Sequence, residues 1–190
     1  MNSKINLKTG YPIAKFSSIQ QTKEMLATTQ DPNNINFGKY EKDNLIKHCQ
    51  EFGNNAINMT IERYGGFLYL YPSTLGELKY KQGLWDEAEL LWLPLLMANT
   101  NPCEFLAKMY RREHRYNDEI SILKLGINAW KTSPFNLYHG TAENLEERLT
   151  KAIKVKDHHT MKDISRGFKY VPFEFDEEFI GKLNSLRKQN

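Results

Sequence analysis

The side chains best suited to chemistry in this chain of 190 residues are two cysteines, Cys49 and Cys103, and five histidines, of which His158 and His159 are adjacent. A thiol attacks or ligates only as a thiolate, which needs a cationic or metallic neighbour. Neither cysteine belongs to a Cys-x-x-Cys pair, and the chain has no His-Glu-x-x-His and no acidic calcium loop. His48 and Cys49 are consecutive, so on a helix their side chains diverge instead of closing on one ion. Gly65-Gly66 matches neither a phosphate-binding loop nor a dinucleotide fingerprint, and no Gly-x-Ser-x-Gly elbow is present. Both thiols therefore read as buried and structural, and His158-His159 as part of a polar connection. The expectation is a non-enzyme with no metal and no cofactor.

The bulk composition agrees with a folded binding protein. With 40% apolar, 12% aromatic and 26% charged residues the chain is globular, not disordered. Its 26 basic and 23 acidic residues leave a net charge of +3, too little for a general electrostatic funnel toward nucleic acid. Met1 to Lys8 is polar and lacks the apolar core of a signal peptide, so the expected location is cytoplasmic. The strongest apolar run, Leu90 to Ala98, is interrupted by Pro94 and falls well short of the roughly 20 residues that span a bilayer. No membrane partner is expected.

The periodicity is helical almost throughout. Residues 1–16 read as an arm or lead-in, and Ser18 with Gln21 resembles a capping box for a short helix ending near Thr29. Asp31-Pro32-Asn33-Asn34 signals a turn. Leu45, Ile46, Cys49 and Phe52 share one face of a helix over 39–52, after which Gly53 suits the left-handed position that ends it. Residues 56–64 fit strand or helix, Gly65-Gly66 reads as a break, and Phe67 to Tyr71 as a strand or a buried lead-in closed by Pro72. From Ser73 to about Asn128 the pattern is strongly helical. After a loop containing Ser133-Pro134 and Gly140, Thr141 is placed to cap a helix carrying Leu145, Leu149, Ala152 and Ile153. His158 to Phe175 is irregular. Asp176 is placed to cap a last helix with Phe179, Ile180, Leu183 and Leu186.

Two central segments repeat one another. The first, Leu75-Gly76-Glu77-Leu78-Lys79-Tyr80-Lys81-Gln82-Gly83-Leu84-Trp85-Asp86-Glu87-Ala88, aligns with a second running from Leu106-Ala107 through Tyr110, His114 and Tyr116 to Glu119-Ile120. The pair resembles the tetratricopeptide repeat, a helix–turn–helix unit of about 34 residues. Gly76 and Ala107 match the small-residue position where the two helices approach, Gly83 matches the turn, and Trp85 and Tyr116 match the aromatics just past it. Ala88 matches the close-packing alanine, while Trp92 and Leu123 match the large residue one turn later. Pro102 stands near the closing proline. The departures are Tyr80 one residue beyond the usual tyrosine, His114 at the second turn, Glu119 for the second alanine, and Pro94 inside a helix that it should kink or end.

The resemblance implies an all-α fold, a short helical-hairpin solenoid with N- and C-terminal helical additions. Two repeats cannot bury their own faces, so the helices at 39–52 and 142–156 are expected to cover them. The domain reading is an N-terminal arm or short helix at 1–38, a helical domain at 39–156, and a C-terminal extension with a terminal helix at 157–190. In this family the first helix of each hairpin lines a groove for an extended peptide or a partner's helix. By position that groove would comprise Ser73, Glu77, Tyr80, Lys81, Glu104, Lys108, Arg111 and Arg112. Half are basic, so an acidic segment or a chain-terminal carboxylate is the expected ligand. The bland alternative is a solvated face of Lys108, Arg111, Arg112 and Arg115 offset by Glu104 and Glu113.

The expected function is non-catalytic binding of a protein or peptide, as adaptor or inhibitor, with self-association through uncovered solenoid ends. Two other readings stay open. One is nucleic-acid association through Lys79, Lys81, Lys108, Arg111, Arg112 and Arg115; the other is an accessory enzyme with its site in the first 70 residues.

Overall fold

A computed structural model describes residues 16–29, 39–136 and 141–187 of the chain. Residues 1–15 of the expected lead-in, the Asp31 to Asn34 turn and Gly140 lie outside them, while Phe16 already belongs to the first helix. The described residues form seven helices and no strand: α1 (Phe16–Thr28), α2 (Lys39–Lys81), α3 (Trp85–Trp92), α4 (Asn101–Arg112), α5 (Tyr116–Lys131), α6 (Glu143–His158) and α7 (Glu177–Arg187). A 3₁₀ turn, Leu93–Met97, follows α3. The fold is all-α and built from helix pairs packed antiparallel. No described helix is long and apolar enough to cross a membrane.

The long helix α2 is broken at Gly53, whose φ of 70° and ψ of −156° leave helical space. The break folds the chain back on itself. Cys49 and Thr60 touch through Sγ and Oγ1 at 3.4 Å, whereas eleven residues of straight helix would hold them about 16 Å apart. The second arm, 54–81, runs on through two sites where the sequence suggested interruption. Gly65-Gly66 does not end it; the ring of Phe135 packs against Gly65, 2.7 Å from where a Cβ would lie, while Gly66 faces open space. That packing offsets the helical cost of Gly65, about 1 kcal/mol. Phe67 to Tyr71 is helical too, and Pro72 is carried inside α2. Ser18 lies inside α1 and caps nothing, its carbonyl accepting from the Thr22 hydroxyl at 3.0 Å.

The two central hairpins share one turn. Gly83 has φ 81° and His114 has φ 59°. Leu84 N donates to Lys79 O at 2.9 Å and Gly83 N to Tyr80 O at 3.0 Å; Arg115 N donates to Tyr110 O at 2.9 Å and His114 N to Arg111 O at 3.1 Å. This is the same left-handed helix stop in both places. Leu84 and Arg115, which lead into α3 and α5, have nearly equal backbone angles, −89°/64° and −94°/65°. Pro94 ends α3 at Trp92 and opens the 3₁₀ turn, as its missing N–H requires.

Beyond α6 the chain crosses the helices as an extended strap, residues 159–176, and returns to α2 through α7. Asp176 caps α7, its Oδ1 accepting from Phe179 N at 2.8 Å, and binds Lys42 at 2.6 Å. Phe179, Ile180 and Leu183 bury with Cys49, Ile57, Ile61 and Tyr64 in one core cluster, while Trp92, Leu96, Leu106, Tyr110, Ile122 and Leu145 belong to a second. Phe173 of the strap packs against both. Thr141 does not cap α6: the residue before that helix is Ala142, with no side-chain cap.

Candidate partner-binding groove

Residues of α2 and α4 line one cavity, with the indole of Trp92 of α3 between them. Trp92 is almost fully buried, and its Nε1 donates to Ser73 O at 3.1 Å. A Cβ on Gly76 would lie 2.4 Å from that nitrogen, so only glycine admits the ring. Tyr80 stacks on Trp85 with centroids 5.1 Å apart and lies 5.7 Å from Trp92, which lies 5.1 Å from Phe105 of α4. Tyr80, Trp92 and Phe105 wall a cavity of about 240 Å³ whose rim carries Glu77, Lys81, Lys108 and Arg112.

The rim charges are fixed by neighbours. Lys81 binds Glu77 at 2.6 Å and the Thr22 hydroxyl of α1 at 2.7 Å. Lys108 lies 5.9 Å from the Phe105 centroid and 3.4 Å from Glu104. Arg112 sits over the Tyr80 ring at 5.8 Å and donates to its hydroxyl. Burial raises the Tyr80 hydroxyl above its ordinary range, against the lowering charge and bond of Arg112, so it keeps its proton at neutral pH. Cation-over-ring contacts of this kind hold charge beside an apolar surface.

Of the eight residues expected in the groove, five line this cavity: Glu77, Tyr80, Lys81, Lys108 and Arg112. Glu104 flanks it through Lys108. Ser73 is buried and offers Trp92 its carbonyl. Arg111 turns away, its Nε donating to Glu119 of α5 at 2.8 Å. Trp92 and Phe105 complete the cavity and were not among the expected groove residues. Trp92 reads from sequence as core, which it also is, and Phe105 is signalled only by its spacing from Lys108 along α4.

Two charged centres lie beneath the groove. Arg115, 2% exposed, is no part of a solvated or nucleic-acid-facing surface. It binds Glu89 at 2.7 Å, Glu113 at 3.1 Å and Asp118 at 2.7 Å, with its guanidinium 4.0 Å from the Tyr110 ring centroid. Glu119, 1% exposed, stands where the first hairpin has Ala88 and faces both Arg111 and Arg148, the latter at 3.7 Å. Burial raises its carboxyl above the usual range despite both arginines.

The cysteines are both buried and free. Cys103 Sγ donates to Ile122 O at 3.3 Å, and burial pushes its thiol up to about 12, leaving almost no thiolate at neutral pH. His159 Nε2 meets the Tyr116 hydroxyl at 2.7 Å, which meets His114 Nδ1 at 2.9 Å. Among the described residues no three His, Cys, Asp or Glu side chains converge as a metal site would need. A larger cavity of about 540 Å³ opens between the two arms of α2, where Leu45, Phe52 and Met59 face His48, Glu41 and Arg63. No family model, curated protein or solved structure matches the chain.

Proposed function

We propose that this chain is a non-catalytic interaction module, an adaptor or inhibitor, that holds a peptide segment or helix of a partner protein in the groove between α2 and α4. The observation that carries this reading is the ring-walled cavity of Tyr80, Trp92 and Phe105 under a rim of Lys81, Lys108 and Arg112. At about 240 Å³ it is smaller than the roughly 300–1,000 Å³ of small-molecule sites. It has room for one large apolar side chain, and the rim cations favour carboxylates on either side of that anchor. The repeated turn at Gly83 and His114 supports a short tetratricopeptide-like arrangement, in which α6 takes the place of the next first helix.

The test is retention from host lysate by the wild type and by Lys108→Glu/Arg112→Glu, both checked for helicity by circular dichroism. One protein kept by the wild type and lost by the variant is the expected result. A partner kept equally by both removes the groove from the mechanism. Retention of nuclease-sensitive material alone, falling steeply with added salt, transfers the function to nucleic acid.

A further inference from the structure

The hairpin that Gly53 makes of α2 has one apolar face buried and a second left open. Cys49, Ile57, Ile61 and Tyr64 bury with Phe179, Ile180 and Leu183 of α7. The open face keeps Phe52 62% and Met59 69% exposed. With Leu45 and Ala56 they line the cavity of about 540 Å³, more than twice the size of the one at Trp92. Large apolar side chains gathered in one concave place, instead of scattered singly, mark a surface that binds. The volume falls within the roughly 300–1,000 Å³ of small-molecule sites.

The contact of Cys49 with Thr60 fixes the register of the two arms. Phe52 and Ala56 then lie at the end that Gly53 closes, and Glu41 and Leu45 lie with Arg63 at the far end. Glu41 and Phe52 are eleven residues apart, about 16 Å of helix. The cavity is therefore a trough with apolar walls and with its two full charges at one end. His48, midway, lies with its ring against that of Phe52, centroids 4.6 Å apart.

The two charges are of opposite sign and stand on different arms. Among the described residues neither Glu41 nor Arg63 has an ion-pair partner, each other included. Lys42, next to Glu41 in the chain, is taken by Asp176 at 2.6 Å. A ligand with an anionic head alone would face the like charge of Glu41, and one with a cationic head alone that of Arg63. A head with both signs complements both. The walls set the rest of the ligand: one extended apolar chain matches a trough of that length, and the flexible thioether of Met59 adapts to its shape.

We propose that this trough binds a single-chain amphiphile with a zwitterionic head, the chain along Phe52 and Met59 and the head between Glu41 and Arg63. The site shares no residue with the groove at Trp92 and does not depend on it.

The test uses the full chain, isotope-labelled at its methionine methyls and titrated at low ionic strength with decylphosphocholine below its micelle-forming concentration. The expected result is a saturable movement of the Met59 resonance while that of Met109, 0% exposed, stays in place. Decanoate and decyltrimethylammonium offer an apolar chain of similar length with one charge each. They should bind about three- to tenfold more weakly, since each trades an exposed ion pair for a like-charge contact. Glu41→Gln should recover the binding of decanoate, and Arg63→Gln that of decyltrimethylammonium; both residues are exposed, so the fold tolerates either change. Met59→Glu, exposed as well, should weaken all three in calorimetry. The proposal is overturned if no amphiphile moves Met59, which would leave the trough to a partner's helix. It is equally overturned if the three bind alike, or if Met109 moves together with Met59, as it would in a chain that detergent unfolds.

Discussion

In the first hairpin Gly76 lets the Trp92 indole lie against the α2 backbone, and Ala88 lets α3 approach. In the second the matching positions hold Ala107, Leu123 and Glu119. The first closes with its own rings, Tyr80, Trp85 and Trp92. The second places a carboxylate in its interface and must then satisfy it with Arg111 and with Arg148 of α6. Its α5 amides are capped by Asp163 and Ser165, far along the chain. A helical hairpin can thus be made self-sufficient by ring packing, or dependent on distant residues by polar groups, around an identical turn. Arg115 ties the two solutions together, since its carboxylates come from α3, from the turn and from α5.

The severest way to break this comparison is to remove that tie. Arg115→Ala leaves Glu89, Glu113 and Asp118 buried without their cation, and a broken buried pair costs about 3–5 kcal/mol. Urea unfolding followed by tryptophan fluorescence should show the unfolding free energy fall by that amount, with a correspondingly lower midpoint, or no folded baseline. Arg115→Lys should fall between, because an ammonium keeps the charge but cannot fork to three carboxylates. A lysine variant as stable as wild type would mean that charge alone, without geometry, joins the hairpins.

Next in size is the helix approach. Gly76→Ala forces the Trp92 ring out of its seat, and overpacking of this sort costs about 1–3 kcal/mol. Ala107→Gly should cost only about 0.5–1 kcal/mol. Both are read from the same unfolding curves, with a tryptophan emission shift expected for the first alone. Equal costs would show that the first hairpin is no more tightly closed than the second.

How much of this could be read in advance depended on where each constraint acts. The turn and the close approach were legible because their causes are local: Gly83 permits a positive φ, Gly76 and Trp92 are complementary in size, and Asp176 precedes its helix. The helical run through Gly65, Gly66 and Pro72 was not legible; at Gly65 the ring packed against the helix, Phe135, comes from the loop after α5. Five of the eight residues expected together line one cavity, and its floor, Trp92 and Phe105, was missed. Arg111 and Arg112 are neighbours in sequence, and only the burial of Glu119 decides which one turns inward. The strap left no periodic signal, since an extended segment that bonds to others has none of its own.

That strap supplies a smaller, pH-dependent effect. Burial pushes the Asp163 carboxyl up, but bonds from Ser165, Asn117 and Tyr116 outweigh it and hold the group below its ordinary value of 3.8. Asp176 is lowered chiefly by its bond from Lys42. A depressed carboxyl contributes stability that is present above its unfolded value and lost as pH falls through its lower folded value. Glu119 runs the other way, its raised carboxyl favouring the fold below the unfolded value and losing that contribution as pH rises through the folded one. Asp163→Ala should therefore cost about 0.5–2 kcal/mol at neutral pH, as loss of a cap does. The difference from wild type should shrink below pH 3.8. Amide exchange at Tyr116 and Asn117 would report it directly, and a cost that persists unchanged into acid would assign the effect to packing.

The smallest effect tests whether the two turns are the same turn. Gly83 and His114 occupy one left-handed conformation, which a side chain enters at a cost of about 1 kcal/mol. Gly83→Ala should show that cost in a thermal melt. His114→Gly removes the same penalty but also removes the bond of Nδ1 to Tyr116, worth about 1 kcal/mol. It adds backbone freedom to the unfolded chain as well. The changes nearly cancel, so the variant should melt close to wild type. If it melts as low as Gly83→Ala, the histidine is held by Tyr116 and His159 more strongly than the turn strains it. The second hairpin would then depend on the strap even at its turn.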